Sequence, residues 1–291
     1  MKFKSMSEHQ ALQCGQIHPK TITKAVSKGR GRRKEYTRDH SLFVNSIEKA
    51  VLVLYAFSRE RPRLTLAAVT KLTGLDKSAA QRVLFTFDQL GLVRKHEDTK
   101  QYSPSPRLLE FAYAYTYSDG LIERAQQFLV EAHQKTGETV NLMVLDGMDV
   151  ILVWRIPSLD IVGMNVQVGL RMPALYSIVG HAIVARLPAD EREHIIRGTN
   201  YERYPDKAVT PDKVRKLLQK VAQEEAVVSE SQYFEHETAV GAVIVDGSNT
   251  VLGGISLCGP RSRLTLREAR EKLVPATITA ARKISLAMGA Y

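Results

Sequence analysis

The stretch TLAAVTKLTGLDKSAAQRVLFTFDQLGLVRKHEDTKQY, Thr65–Tyr102, decides the reading of the first half of this chain. Thr65 is a candidate N-cap, and Leu66, Val69 and Leu72 follow it at helical spacing. Gly74 interrupts the pattern. Asp76 then caps a second helix whose apolar row is Ala80, Val83, Leu84, Phe87 and Leu90, and Gly91 ends it. Helix, glycine-containing turn, helix is the order of a helix-turn-helix, whose second helix enters the major groove of DNA. Leu92–Lys95 and Gln101–Ser103 flank the polar turn His96–Lys100, so a two-stranded basic wing is expected after it.

The residues that avoid the apolar row of the second helix are Lys77, Ser78, Gln81 and Arg82. They fall in its first two turns, the part that reaches base edges. Arg suits guanine and Gln suits adenine through paired hydrogen bonds. Lys77 and Ser78 stand near the helix start, where phosphate is favoured. Lys71 and the wing residues Arg94, Lys95 and Lys100 are phosphate candidates. The competing reading of every one of these side chains is an ordinary solvated surface.

Charge is placed to match. The net charge is +10 over 291 residues, divided as +7 in residues 1–40, +4 in 41–105 and −1 in 106–291. Residues 1–40 lack periodicity and are rich in Lys, Gly, Ser and Thr. They read as a disordered basic arm, either adding nonspecific DNA affinity or inert. Ser46–Phe57 reads as a helix packed under the two motif helices, with Ile47, Val51, Leu54 and Tyr55 on its buried face. The winged helix-turn-helix domain therefore takes residues 41–105.

Pro104 and Pro106 punctuate its end. Arg107–Tyr117 reads as a linker helix, within a linker of residues 106–118. Asp119–Lys135 is a longer helix with Leu121, Ala125, Phe128, Leu129 and Ala132 buried. Residues 119–291 then mix strands and helices. Thr139–Leu145 and Val150–Ile156 form a hairpin about Asp146–Gly147, and Ile161–Val168 is a further strand. Ser177–Arg186, Asp190–Arg197 and Pro211–Glu225 are helical, the last with Thr210 as N-cap and Pro at its first position. Ala239–Val245 and Val251–Leu257 make a second hairpin. A final helix spans Thr265–Met288, kinked or split at Pro275. The fold class is α+β with a largely antiparallel sheet.

Hydrophobic residues make up 44% of the chain and charged residues 25%, enough for a sizeable core. No apolar run reaches the length of a membrane span, and residues 1–40 hold no signal-peptide core. Two cysteines, Cys14 and Cys258, form no disulfide framework, which suits a reducing cytoplasm. No metal-ligand spacing and no glycine-rich phosphate loop is present, so neither a metal nor another cofactor is expected. An enzyme reading would rest on Cys258 as nucleophile with His181 or His236 as base, but no hydrolase signature surrounds them.

The chain resembles the IclR family of bacterial transcription regulators over about residues 42–289. The resemblance is carried by the motif helices from Leu64 to Leu84, by GLRMPALYSIVGHA (Gly169–Ala182), and by GGISLCGP (Gly253–Pro260). It implies an N-terminal winged helix, a linker helix, and a C-terminal effector-binding domain related to GAF and PAS folds. It also implies homodimers, often paired into tetramers. The effector site implied by the family maps to Ile161 and Met164, to the helix start at Ile178 and Val179, and to Val243, Ser256 and Cys258 on late strands. A helix N-terminus is a natural seat for a carboxylate. Ser256 and Cys258 flank Leu257 and so face one side of their strand. For all these residues, plain core is the competing reading. The chain departs from the family at His181, usually Lys; at Glu225-Ala226, usually Gly-aromatic; at Val243, usually Pro; and at His236, usually Gly. The expected function is a ligand-responsive regulator of a DNA operator, sensing a small organic acid or aromatic metabolite. The alternative is a constitutive repressor whose C-terminal domain only oligomerises.

Overall fold

The structure is a computed structural model and describes residues 42–158, 166–203, 209–230, 233–234 and 236–290. The chain divides into two compact units, the first ending at Tyr115 and the second beginning at Thr116. The basic arm expected for residues 1–40 lies outside the described residues.

The first unit contains α1 (Asn45–Ala56), β1 (Leu64–Thr65), α2 (Leu66–Thr73), α3 (Lys77–Gln89), β2 (Val93–His96) and β3 (Gln101–Pro104). Capping sets the motif. The Thr65 hydroxyl accepts from the Ala68 amide at 3.2 Å, and the Asp76 carboxylate accepts from the Ala79 amide at 2.8 Å. Gly74 closes α2 with a φ of 72°, a left-handed conformation that a side chain would strain. Val53, Ala56, Leu64, Val69, Ala80, Leu84, Phe87 and Val93 form the core of this unit.

Two expectations need correction here. The wing is three-stranded, in the order β1-β3-β2, because Leu64 and Thr65 pair with Tyr102 and Gln101. A two-residue strand carries no periodicity to read. Helix α1 buries Leu52, Val53 and Ala56, while Ile47 and Tyr55 of the expected face are exposed. Its sequence is apolar nearly all round, so spacing alone does not choose a face. Helix α4 (Leu108–Ser118) follows and buries no side chain.

The second unit holds α5 (Gly120–Thr136), the hairpin β4 (Thr139–Asp146) and β5 (Asp149–Ile156), β6 (Arg171–Pro173), a 3-10 turn (Ala174–Tyr176), α6 (Ile178–Arg186), α7 (Ala189–Gly198), α8 (Pro211–Val221), β7 (Val227–Glu230), and the hairpin β8 (Glu237–Val245) and β9 (Val251–Pro260). The six strands form one antiparallel sheet in the order β6-β5-β4-β9-β8-β7. The expected α+β class with an antiparallel sheet is therefore observed. Of the strand expected over Ile161–Val168, residues 161–165 lie outside the described residues and Val166–Val168 is not strand.

The terminal helix is interrupted, as Pro275 requires. A turn of helix at Leu266–Glu268 passes into a π turn at Ala269–Leu273 before α9 (Val274–Ala287). Proline has no N–H to donate backward, and the wider turn accommodates the missing bond. Thr265 and Glu268 form a reciprocal capping box at its start.

The sheet has two different faces. Val140, Leu142, Val240, Ala242, Ile244, Ile255 and Leu257 form the main core with α5 and α9. The opposite face carries α6, and two glycines permit its approach. A Cβ at Gly241 would meet Ile178 Cγ2 at 2.5 Å, and one at Gly254 would meet Val179 Cγ1 at 2.7 Å. Arg171 braces the first hairpin, bonding Asp146 and, at 3.2 Å, Asp149. Glu138, buried at the start of β4, takes a two-pronged bond from Arg263 at 2.5 and 2.8 Å.

Candidate nucleic-acid interface and effector site

On α3 the buried row is Ala80, Leu84 and Phe87, which turns the other side of the helix outward. Lys77, Ser78, Gln81 and Arg82 all lie on that exposed side. Their side chains make no hydrogen bond or ion pair among the described residues. Lys71, at the end of α2, and Arg94, on β2, are likewise exposed. Four polar groups at the start of one helix, none used in folding, are available to base edges and phosphates.

The other two wing lysines are engaged. Lys95 Nζ lies 2.7 Å from one oxygen of Glu97, and Lys100 Nζ lies 2.9 Å from the other. Those two ammonium groups hold the Glu97 carboxyl down at about 2. The Lys95 amide also donates to Asp88 Oδ1 at 2.9 Å, which fixes the wing to the end of α3. Glu97 stands within the polar turn His96–Lys100, where no spacing along the chain marks it.

The second candidate site is on the α6 face of the sheet. Arg155, Asn141, Ser256 and Gly241 are direct cross-strand neighbours on β5, β4, β9 and β8, so they form one row on one face. Thr139, Cys258 and Ala239 form the next row. Asn141 organises them. Its amide nitrogen donates to Ser256 Oγ at 3.2 Å and to Cys258 Sγ at 3.5 Å, and its oxygen accepts from Arg155 Nη1 at 2.7 Å. Asn141, Ser256 and Cys258 are buried, and Arg155 is partly buried. Glu237 bonds the Cys258 thiol, and burial raises the Glu237 carboxyl despite the nearby Arg155 charge.

Of the residues expected at the effector site, Ser256 and Cys258 lie on this polar face, and Val243 lies farther along it, partly exposed. Ile178 and Val179 start α6, with their side chains seated over Gly241 and Gly254. The Ser177 hydroxyl caps the third amide of that helix, Gly180, at 3.4 Å. Ile161 and Met164 lie outside the described residues. Arg155, Asn141 and Glu237 were not anticipated. The signal was a polar residue flanked by apolar ones, as in Val140-Asn141-Leu142 and Trp154-Arg155-Ile156.

Cys258 has no histidine partner among the described residues. Burial, then the Glu237 carboxyl, push its thiol well above the ordinary range, opposite to what a nucleophile needs. His181 is buried and donates through Nε2 to the Leu175 carbonyl at 2.9 Å, with burial lowering its pKa. His236 is exposed with a φ of 68°. Where Lys is usual in the family, the buried His181 closes a bond to the chain. Among the described residues no group of His, Cys, Asp and Glu is arranged to hold a metal ion, and no helix is long and apolar enough to cross a membrane.

A model described as "Bacterial transcriptional regulator IclR C-terminal" matches residues 113–286, and one described as "IclR helix-turn-helix domain" matches residues 46–97. The chain belongs to the IclR family. It is similar to the HTH-type transcriptional regulator KdgR of Escherichia coli (strain K12), with 26% identity over 247 residues, 84% of this chain and 93% of that one. An IclR family transcriptional regulator from Brucella abortus superposes with a TM-score of 0.74 at 21% identity, covering 88% of this chain and 96% of that one. An IclR homolog from Microbacterium hydrocarbonoxydans, complexed with 4-hydroxybenzoate, gives a TM-score of 0.69 at 22% identity, covering 84% and 98%. At these identities the two structures speak for the fold. This IclR-family chain is thus a transcriptional regulator with a helix-turn-helix DNA-binding domain and a C-terminal α+β domain.

Proposed function

We propose that this protein is an effector-responsive, sequence-specific regulator acting on chromosomal DNA in the bacterial cytoplasm. Arg82 and Gln81 read base edges, Lys77 and Ser78 position α3 on phosphates, and Lys71 and Arg94 add backbone contacts. The observation that carries this is the row of exposed polar side chains on the first two turns of α3, with no partner among the described residues. Two such helices reading paired half-sites call for a homodimer. The exposed apolar side chains Leu90, Leu109 and Phe111 in the DNA-binding unit supply surface for that association.

The effector is a small organic acid bound at the polar face that carries Ser256 and Cys258. The 4-hydroxybenzoate complex of the Microbacterium homolog is consistent with an acid of this kind. Binding there favours one placement of the DNA-binding units over another, which is what regulation requires. Selecting binding sites from fragmented genomic DNA with the wild-type protein and Arg82→Ala tests the DNA assignment. Arg82→Ala should lose specific affinity by about 1–3 kcal/mol, some five- to 150-fold. Unchanged affinity and unchanged selected sites would remove Arg82 from base reading.

A further inference from the structure

Phe85 departs from the pattern of α3. The helix buries Ala80, Leu84 and Phe87, yet the Phe85 ring is 63% exposed. Successive residues turn by about 100° around a helix, so Phe85 lies about 20° from Ser78, about 40° from Gln81 and about 60° from Arg82. It lies about 100–160° from the three buried residues. Phe85 therefore stands in the middle of the exposed row that carries Ser78, Gln81 and Arg82. Leu90, the next exposed apolar side chain, is about 140° away round the helix, so Phe85 does not extend the surface that Leu90 offers. An aromatic ring has no hydrogen bond to give a base edge. The group that such a ring fits in the major groove is the methyl of thymine, the apolar marker there.

Resting on the reading of α3 as the recognition helix, we infer that Phe85 is a specificity-determining residue that contacts the methyl group of a thymine. A rise of about 1.5 Å per residue sets Phe85 about 6 Å beyond Gln81 and about 4.5 Å beyond Arg82 along α3. Base pairs are spaced by about 3.4 Å, so this thymine lies within about two base pairs of the base that Gln81 reads. Cytosine presents an amino donor and no methyl in the groove. Against the ring that donor would lose its water and find no acceptor, which selects against cytosine. The ring is open to solvent without DNA. Its burial contributes to the complex, and the fold does not depend on it.

A half-site is selected from fragmented genomic DNA with the full-length wild-type protein. Each thymine in it is then replaced in turn by uracil, which removes the methyl group alone. Wild type should lose about four-fold in affinity at one thymine, the effect of one buried methyl. Phe85→Ala should bind the unmodified site at least about four-fold more weakly and be indifferent to uracil at that thymine. Phe85→Leu, still apolar, should retain sensitivity to the methyl. The thymine should lie within about two base pairs of the position at which Gln81→Ala relaxes the preference. Wild-type affinity indifferent to uracil at every thymine overturns the inference, as does a uracil loss that persists undiminished in Phe85→Ala. If Gln81→Ala and Arg82→Ala still lose specific affinity in that case, α3 remains the reading helix. A weakened Phe85→Ala with an altered sedimentation coefficient and no uracil effect makes Phe85 an interface side chain and overturns the inference too. Affinity and selected sites unaltered in all three alanine variants overturn the reading of α3 itself.

Discussion

Replacing Gly180 with Ala places a methyl group where α6 rests on the turn before it. The added Cβ would lie 2.6 Å from the Ala174 carbonyl carbon and 2.7 Å from its Cα, with the carbonyl oxygen nearer still. Carbon atoms settle at about 3.5–4.0 Å, so the two backbones must part by about 1 Å. Neither is loose. The Ala174 amide donates to the Met148 carbonyl at 3.0 Å, and its carbonyl accepts from Ser177 at 3.1 Å. Lifting α6 would withdraw Ile178 and Val179 from their seats on the sheet. Overpacking of this kind costs about 1–3 kcal/mol, and the backbone neighbour places it near the top of that range. Gly198→Ala is the control. Its Cβ would also collide, but with the end of the Met148 side chain, 2.6 Å from the sulfur. Methionine can turn aside, and helix propensity returns about 1 kcal/mol. Trp154, the sole tryptophan, lies on β5 and reports unfolding of the second unit. With a urea dependence of about 2 kcal/mol per molar, Gly180→Ala should lower its midpoint by about 1.5 M and Gly198→Ala by less than about 0.3 M. Equal shifts in the two variants, or none in Gly180→Ala, would refute the reasoning.

Glu97→Gln should release the Lys95 and Lys100 ammonium groups to phosphate, tightening DNA binding and steepening the slope of log affinity against log salt by about 2; a flatter slope would contradict this. A depressed carboxyl contributes above its unfolded value and loses its contribution as pH falls through the folded one. The Glu97 ion pairs should therefore persist until pH falls toward about 2, read by carbon-13 titration of its carboxyl; a midpoint near 4 would show the pairs are not held. In a Cys14→Ser background the raised Cys258 thiol should react with a disulfide reagent at pH 8 at least about ten-fold more slowly than in urea, and comparable rates would mean it is open. Arg171→Met strands Asp146 and Asp149 at the hairpin turn and should cost about 1.5–3 kcal/mol, with an unchanged Trp154 midpoint counting against the brace.

The helix-turn-helix was legible because its signals are local. Thr65, Gly74 and Asp76 act within four residues of themselves, and each occupies the capping role its type suggests. Thr210 before Pro211 worked the same way for α8. What escaped was set by distant partners. β1 is a strand only because β3 lies beside it, and β6 and β7 are short edge strands with no apolar alternation of their own. The buried face of α1 depends on which side α2 and α3 occupy. On the polar face of the C-terminal sheet, Ser256 and Cys258 were read from the family motif. Asn141, Arg155 and Glu237 become neighbours only when four strands are in register, and no spacing along the chain announces that.

The pairing of β4 with β9 has a consequence for how the protein is made. Asn141 and Ser256 are 115 residues apart in the chain, and the edge of β4 has no strand beside it until β9 emerges. Contacts of such separation form slowly, and they form after local ones. The winged helix closes on residues up to Pro104. On the ribosome the DNA-binding unit is therefore complete while the C-terminal domain is still an open half-sheet. A chain stopped short of β9 would carry the helix-turn-helix without a closed C-terminal sheet, with an unprotected strand edge that marks it for quality control.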